Sequence, residues 1–285
     1  MYVVELGEPS CVPVLLLHGQ PGRGKDFFKV PEMLAAKFRV IVADRPGYGR
    51  TGGNALGLKE NAELFANWLK GHDASPALVV GHSFGGGIAL SMAVHYSDVV
   101  AGLVLAGSVG STESLSTLDR VLALPVVGEA IAIAGLPGLS VVASGLRRMS
   151  GLLPEPLRER LATSLPGEEL DGIFSQVAAV ARSFAVEQRC LVAEVPLLAG
   201  ALGALNIPVA VVAGEWDQVV PIAAQESLAR SIAAASFRKV DKVGHFLPRD
   251  APMTVVNAVE EVADRMAYAT SDGSSNDPGS LQPSA

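Results

Sequence analysis

A serine flanked by glycines at 81 and 85, an aspartate at 217 and a histidine at 245 are the residues of this chain whose types and settings suit covalent chemistry. Gly81-His82-Ser83-Phe84-Gly85 follows Pro76-Ala77-Leu78-Val79-Val80, an apolar run that reads as a buried strand. It precedes Gly86-Gly87-Ile88-Ala89-Leu90-Ser91-Met92-Ala93, which reads as a helix. Gly-x-Ser-x-Gly alone is a common chance match. Between a strand and a helix it becomes a nucleophile elbow, a turn so tight that the positions two before and two after the serine must lack bulk. The Ser83 hydroxyl then stands at a helix N-terminus, where backbone N–H groups and the dipole favour negative charge.

A serine hydroxyl is a poor nucleophile until an oriented base takes its proton. Five histidines compete for that role: His18, His72, His82, His95 and His245. His245 sits in Val243-Gly244-His245-Phe246-Leu247-Pro248, a loop just after the last expected strand. Loops at the carboxyl ends of parallel strands converge on one sheet edge, so His245 can reach Ser83. His82 adjoins the serine but is expected to be aimed elsewhere by the elbow. His72 and His95 are read as surface residues, and His18 as a brace for loops. For the acid, Asp217 follows a strand directly in Gly214-Glu215-Trp216-Asp217-Gln218. A turn-forming aspartate is the bland alternative. Glu215 and Asp44 compete. Glu215 should face differently, and Asp44 is assigned to bracing the Arg45-Pro46-Gly47-Tyr48-Gly49 turn.

Acyl transfer places negative charge on the former carbonyl oxygen, so donors must be in place beforehand. The Phe84 N–H, immediately after the nucleophile, is one candidate. The second is expected from His18-Gly19-Gln20-Pro21-Gly22, where Gln20 offers its N–H and Pro21 has none to offer.

These groups need a scaffold that gathers distant loops. Val12 to Leu17, Phe38 to Ala43, Leu78 to Val80 and Gly102 to Leu105 read as strands, with Asp26 to Lys37, Leu58 to Leu69 and Phe84 to His95 as helices between them. The alternation predicts right-handed βαβ crossovers and a mostly parallel sheet flanked by helices, an α/β fold. It resumes with a strand at Pro208 to Ala213, a helix at Gln225 to Ala235, a strand at Phe237 to Val240 and an amphipathic helix at Thr254 to Met266. Residues 1–107 and 206–269 are therefore expected to form one core domain. No strand alternation appears over 108–205, which is expected to be an all-helical cap; its apolar stretch from Val121 to Leu146 reads as a greasy lid, with a membrane span as the bolder reading, opposed by two prolines and several glycines, and a dip into a membrane surface as a minority option. Residues 270–285 lack apolar periodicity and are expected to be disordered.

Composition narrows the function classes. Hydrophobic residues make up 49% of 285 residues, and the mean hydropathy of +0.35 suits a sheet buried on both faces. A formal charge of −7 without a Lys/Arg cluster argues against nucleic acid. Cys11 and Cys190 have no metal spacing and suit a reducing compartment. The acidic N-terminus is unlike a secretory leader, so a cytoplasmic location is expected. No metal or organic cofactor is implied.

His18-Gly19-Gln20-Pro21-Gly22, Asp44-Arg45-Pro46-Gly47-Tyr48-Gly49-Arg50-Thr51, the elbow, Gly214-Glu215-Trp216-Asp217 and Gly244-His245 together resemble the α/β-hydrolase fold superfamily, in a serine-nucleophile form with a helical cap. The order Ser83, Asp217, His245 is the one that the superfamily implies for a catalytic triad. The His-Gly-x-Pro opening is similar to that of epoxide hydrolases and haloalkane dehalogenases, but those use an aspartate where this chain has Ser83. The resemblance implies catalytic Ser83, Asp217 and His245, an oxyanion hole from the Gln20 and Phe84 N–H groups, and an acyl-enzyme. A small to medium apolar ester and water are the expected partners. Thioester, lactone and carbon–carbon (diketone) hydrolysis use the same machinery, and a scaffold that only binds a small ligand is the non-enzymatic alternative.

Overall fold

The computed structural model describes residues 1–135, 153–164 and 177–273. Seven strands form one sheet: β1 (Val3–Leu6), β2 (Pro13–Leu17), β3 (Arg39–Ala43), β4 (Ala77–His82), β5 (Val100–Ala106), β6 (Val209–Gly214) and β7 (Ala235–Val240). Their spatial order is β1-β3-β2-β4-β5-β6-β7. β1 runs antiparallel to β3, and every other pair is parallel. Short apolar runs without alternation are what a strand covered on both faces requires. β4 and β6 are buried at every position.

Successive side chains of these strands enter two different cores. Leu15, Leu17, Val79, Leu103, Leu105, Val209 and Val211 pack with helices α2 (Leu58–Gly71), α3 (Phe84–His95) and α8 (Ile222–Arg230). Val14, Leu16, Leu78, Val80, Val104, Ala210 and Val212 pack with α1 (Val30–Leu34), α9 (Leu247–Asp250) and α10 (Pro252–Gly273) on the other face. This two-sided burial fixes the register, so the loops after β2, β3, β4, β6 and β7 open along one carboxyl edge.

Within 108–205 the described residues are helical: α4 (Thr117–Leu122), α5 (residues 127–135), α6 (Glu155–Ser164) and α7 (Val177–Ala199), with no strand among them. The rest of the expected cap, residues 136–152 and 165–176, lies outside the described residues, as does most of the expected tail. α7 packs against α2, α3 and α4. Leu191, Val195 and Leu198 of α7 join the first core directly.

The sequence reading lacks β1 and misplaces several element ends, three of them with a clear consequence. The helix expected over Asp26 to Lys37 is split into a 3-10 turn, Gly24–Phe27, and α1. Phe28 at φ 51° interrupts it, a backbone conformation that no helix continues. α8 starts earlier than expected, after Pro221, and ends at Arg230, so that Ala235 opens β7. α10 extends to Gly273, which places residues 270–273 in the helix and not in the tail. Cys11 and Cys190 are not bridged. Among the described residues no helix is long and apolar enough to cross a membrane.

Candidate active site

β4 ends at His82, and α3 begins at Phe84, leaving Ser83 alone in the turn. Ser83 has φ 55° and ψ −121°, a conformation that a side-chain-bearing residue adopts only when its surroundings impose it. The surroundings do so. Ser83 N–H donates to the Ala106 carbonyl at 3.1 Å, and the Ser83 carbonyl accepts from Gly86 and Val109. A Cβ on Gly85 would overlap the Leu17 and His18 carbonyls, so only glycine lets α3 start this close to β2.

Asp217 lies in the turn after β6 and His245 in the loop after β7. His245 Nδ1 is 2.9 Å from Asp217 Oδ2. The other Asp217 oxygen accepts from the backbone N–H groups of Val219, at 2.8 Å, and Val220, at 2.9 Å. The carboxylate is thus held at both ends, one by peptide donors and one by the imidazole. Gly107, at φ 55°, closes the space above them: a Cβ there would lie 3.4 Å from both Asp217 Oδ2 and His245 Nδ1. Ser83, Asp217 and His245 are 5%, 5% and 7% exposed, nearly closed from water. Among the described residues Ser83 Oγ forms no hydrogen bond, and such bonds commonly tighten only around substrate.

The two expected oxyanion donors belong to segments that meet at the serine. Phe84 N–H is the first of α3 and has no acceptor within the helix. Gly19, next to Gln20, presses against the elbow: a Cβ on it would lie 2.9 Å from Ser83 Cβ. Among the described residues, neither the Phe84 nor the Gln20 N–H donates to a protein acceptor.

The competing residues have other roles. Asp44 accepts from the N–H groups of Gly24, at 2.7 Å, and Arg50, at 2.8 Å, and so braces loops. Glu215 faces outward to Lys239 and the Lys242 N–H, which hold its carboxyl below the usual range. His72 stacks on Trp68, and His95 is exposed. Burial holds His18 neutral, well below its usual pKa. Its Nδ1–H donates to the Gly19 carbonyl at 2.8 Å, and Nε2 accepts from Arg45 N–H at 2.9 Å.

His82, expected to be aimed away from the serine, meets the loop of the candidate base. Its ring is directed at the His245 loop, with ring centroids 4.9 Å apart and Nε2 2.9 Å from the His245 carbonyl. Burial above all, with the nearby His245, pushes its pKa down to about 3. The neutral ring therefore donates its Nε2–H to that carbonyl. Adjacency to the serine was the signal for it, but only the paired geometry of β4 and the His245 loop shows the contact.

A second group was not legible from sequence. Arg45 and Glu187 of α7 form a fully buried ion pair, both side chains at 0% exposure. Tyr48 Oη–H donates to Glu187 Oε2 at 2.8 Å. Burial raises the Glu187 carboxyl against the pull of Arg45, and raises the Tyr48 phenol well above its usual range. Behind this group lies a cleft of ≈ 580 Å³ bordered by Tyr2, Phe28, Val42, Tyr48 and Arg50. None of Ser83, Asp217 and His245 lines it.

A family model described as the alpha/beta hydrolase fold matches residues 12–252. The chain belongs to the alpha/beta hydrolase fold family. It is 30% identical over 261 residues to the magnesium-chelatase 30 kDa subunit of Rhodobacter capsulatus, covering 86% of this chain and 84% of that one. It is 33% identical over 178 residues to a pimeloyl-[acyl-carrier protein] methyl ester esterase of Chromobacterium violaceum, covering 54% and 68%. A thermophilic esterase from Thermogutta terrifontis superposes with a TM-score of 0.67 at 24% identity, over 93% of both chains. That likeness establishes the fold of the family member described here.

Proposed function

We propose that the protein is a serine hydrolase that cleaves the ester bond of a small to medium apolar substrate. The observation that carries this reading is the buried 2.9 Å contact of His245 Nδ1 with Asp217 Oδ2 at the sheet edge where Ser83 stands in its elbow. In this reading His245 takes the Ser83 proton as Oγ attacks the acyl carbonyl carbon. Asp217 holds the tautomer and stabilises the imidazolium. The Gln20 and Phe84 N–H groups receive the oxyanion. As the tetrahedral intermediate collapses, the carbon–oxygen bond to the alkoxide breaks, and His245 gives that oxygen its proton. Water, deprotonated by the same imidazole, then attacks the acyl-enzyme and releases the acid, returning the proton to Ser83.

The esterase relative supports an ester as the bond cleaved. The apolar composition of the proposed cap, residues 108–205, supports an apolar acyl or alcohol portion. A reading as a component of a magnesium chelatase is supported by the name of the Rhodobacter capsulatus relative. A fluorophosphonate probe separates the two. The hydrolase reading expects labelling of wild type that Ser83→Ala and His245→Ala both abolish. Folded wild type that takes no label and turns over no p-nitrophenyl ester from acetate to dodecanoate overturns it and leaves the chelatase reading.

A further inference from the structure

The peptide plane between Gly19 and Gln20 joins the two groups described above. The Gly19 carbonyl and the Gln20 N–H belong to one planar trans peptide unit: they point in opposite directions, so holding the carbonyl fixes where the N–H points. The Gly19 oxygen is held twice, by Arg45 Nη2 at 2.9 Å and by His18 Nδ1 at 2.8 Å. Arg45 Nε also donates to the His18 carbonyl at 2.9 Å. One guanidinium thus grips two consecutive carbonyls of the loop with its planar fork, a geometry that a lysine ammonium does not reproduce. On its other side Arg45 Nη1 meets Glu187 Oε1 of α7, and Nη2 lies 3.4 Å from Oε2. The guanidinium carbon also sits 4.9 Å from the centre of the Phe84 ring, on the residue that supplies the other N–H.

We propose that Arg45 is a positioning residue for the oxyanion hole: by holding the Gly19 carbonyl it aims and polarises the Gln20 N–H, and Glu187 ties that alignment to the α7 helix. This rests on the hydrolase reading above. A full positive charge on the carbonyl oxygen draws electron density through the peptide, which makes the N–H at the far end a stronger donor. Neither Arg45 nor Glu187 touches the reacting atoms, so their effect belongs to the transition state and not to substrate binding.

The test uses the double variant Arg45→Met/Glu187→Met, which removes both charges together and avoids leaving one buried alone. Arg45→Lys serves as a second variant that keeps the charge and loses the fork. Active sites are titrated with fluorophosphonate, and kcat and KM are measured for an ester and for its thionoester, whose sulfur is a poor hydrogen-bond acceptor. The expected result is a kcat loss of about 10²–10³-fold on the ester, the range for losing one oxyanion donor, with KM within about threefold. The preference for ester over thionoester should shrink in parallel. Glu187→Gln, which leaves Arg45 on both carbonyls, should retain most of that preference. Folded variants whose kcat per titrated site and ester preference match wild type overturn the proposal, as does a loss confined to thermal stability or to KM. Wild type that neither labels nor turns over esters removes the parent reading instead.

Discussion

Asp217–His245 and Glu187–Arg45 are both buried acid–base pairs at the carboxyl side of one sheet, and they solve the problem of burying charge in different ways. Asp217 and His245 are 28 residues apart, on neighbouring loops of the core. The carboxylate is satisfied by two backbone N–H groups before the imidazole is counted. Arg45 and Glu187 are 142 residues apart and join a core loop to a helix of the 108–205 segment. Arginine cannot discharge, and the Glu187 carboxyl is held by it and by the Tyr48 hydroxyl. In the proposed mechanism the first pair moves a proton and the second fixes a position: the one has a carboxylate held independently of its partner, the other joins two partners that need each other.

Asp217→Asn should separate these roles most sharply. An amide can still occupy the turn, but it offers an N–H to an imidazole that needs an acceptor, which favours the wrong tautomer. Ester turnover should fall by about 10⁴-fold with the melting temperature little changed. Turnover within tenfold of wild type would show that this pair is structural like the other.

Glu187→Leu should show the opposite balance. It strands a buried guanidinium, and breaking a buried pair from one side costs about 3–5 kcal/mol. Replacing both partners by methionine should recover most of that loss. Urea unfolding of Glu187→Met, Arg45→Met and the double methionine variant would give the coupling directly, provided the slope with denaturant is unchanged. If the single and double variants were equally destabilised, the two charges would not depend on each other, and the contrast with Asp217–His245 would fail.

The same contrast explains what the sequence made legible. Ser83, Asp217 and His245 each follow a strand in a local pattern, Gly81 to Gly85, Gly214 to Asp217 and Gly244-His245, so strand identity alone places them on one edge. The strands were readable because β2, β4, β5 and β6 are short apolar runs whose burial on both faces leaves no other assignment. Arg45 stood in a motif that was noticed, but its partner lies in α7, where a Glu-Gln-Arg triplet gives no sign of which residue turns inward. Glu187 and Gln188 are both buried there, while Arg189 reaches Glu129. Helix spacing can supply a face, but the docking of α7 on the core decides which face is hidden. The break at Phe28, in contrast, has a local signal: a proline inside Asp26 to Lys37 cannot sit in mid-helix, and the structure starts α1 at Val30 with Pro31 in its first turn.

His82 offers the finest test, since it touches the working pair without belonging to it. Its native pKa is about 3, against 6.5 for a free histidine. As pH falls below 6.5 the unfolded chain takes up a proton that the native chain refuses until about 3. The stability tied to His82 is thus complete above 6.5 and declines through that window by about 1.4 kcal/mol per pH unit. His18, lowered by burial in the same direction, adds to the decline. His82→Gln places an amide N–H where the Nε2–H now donates to the His245 carbonyl, and it does not titrate. Its unfolding free energy between pH 6.5 and 4 should therefore fall less steeply than that of wild type, by about one proton's worth of slope, while its activity at pH 8 stays within about tenfold. Parallel acid limbs would mean that His82 already exchanges protons in the native state. The imidazolium would still donate its Nε2–H to the His245 carbonyl, so the contact, and not the neutrality of the ring, would hold the loop.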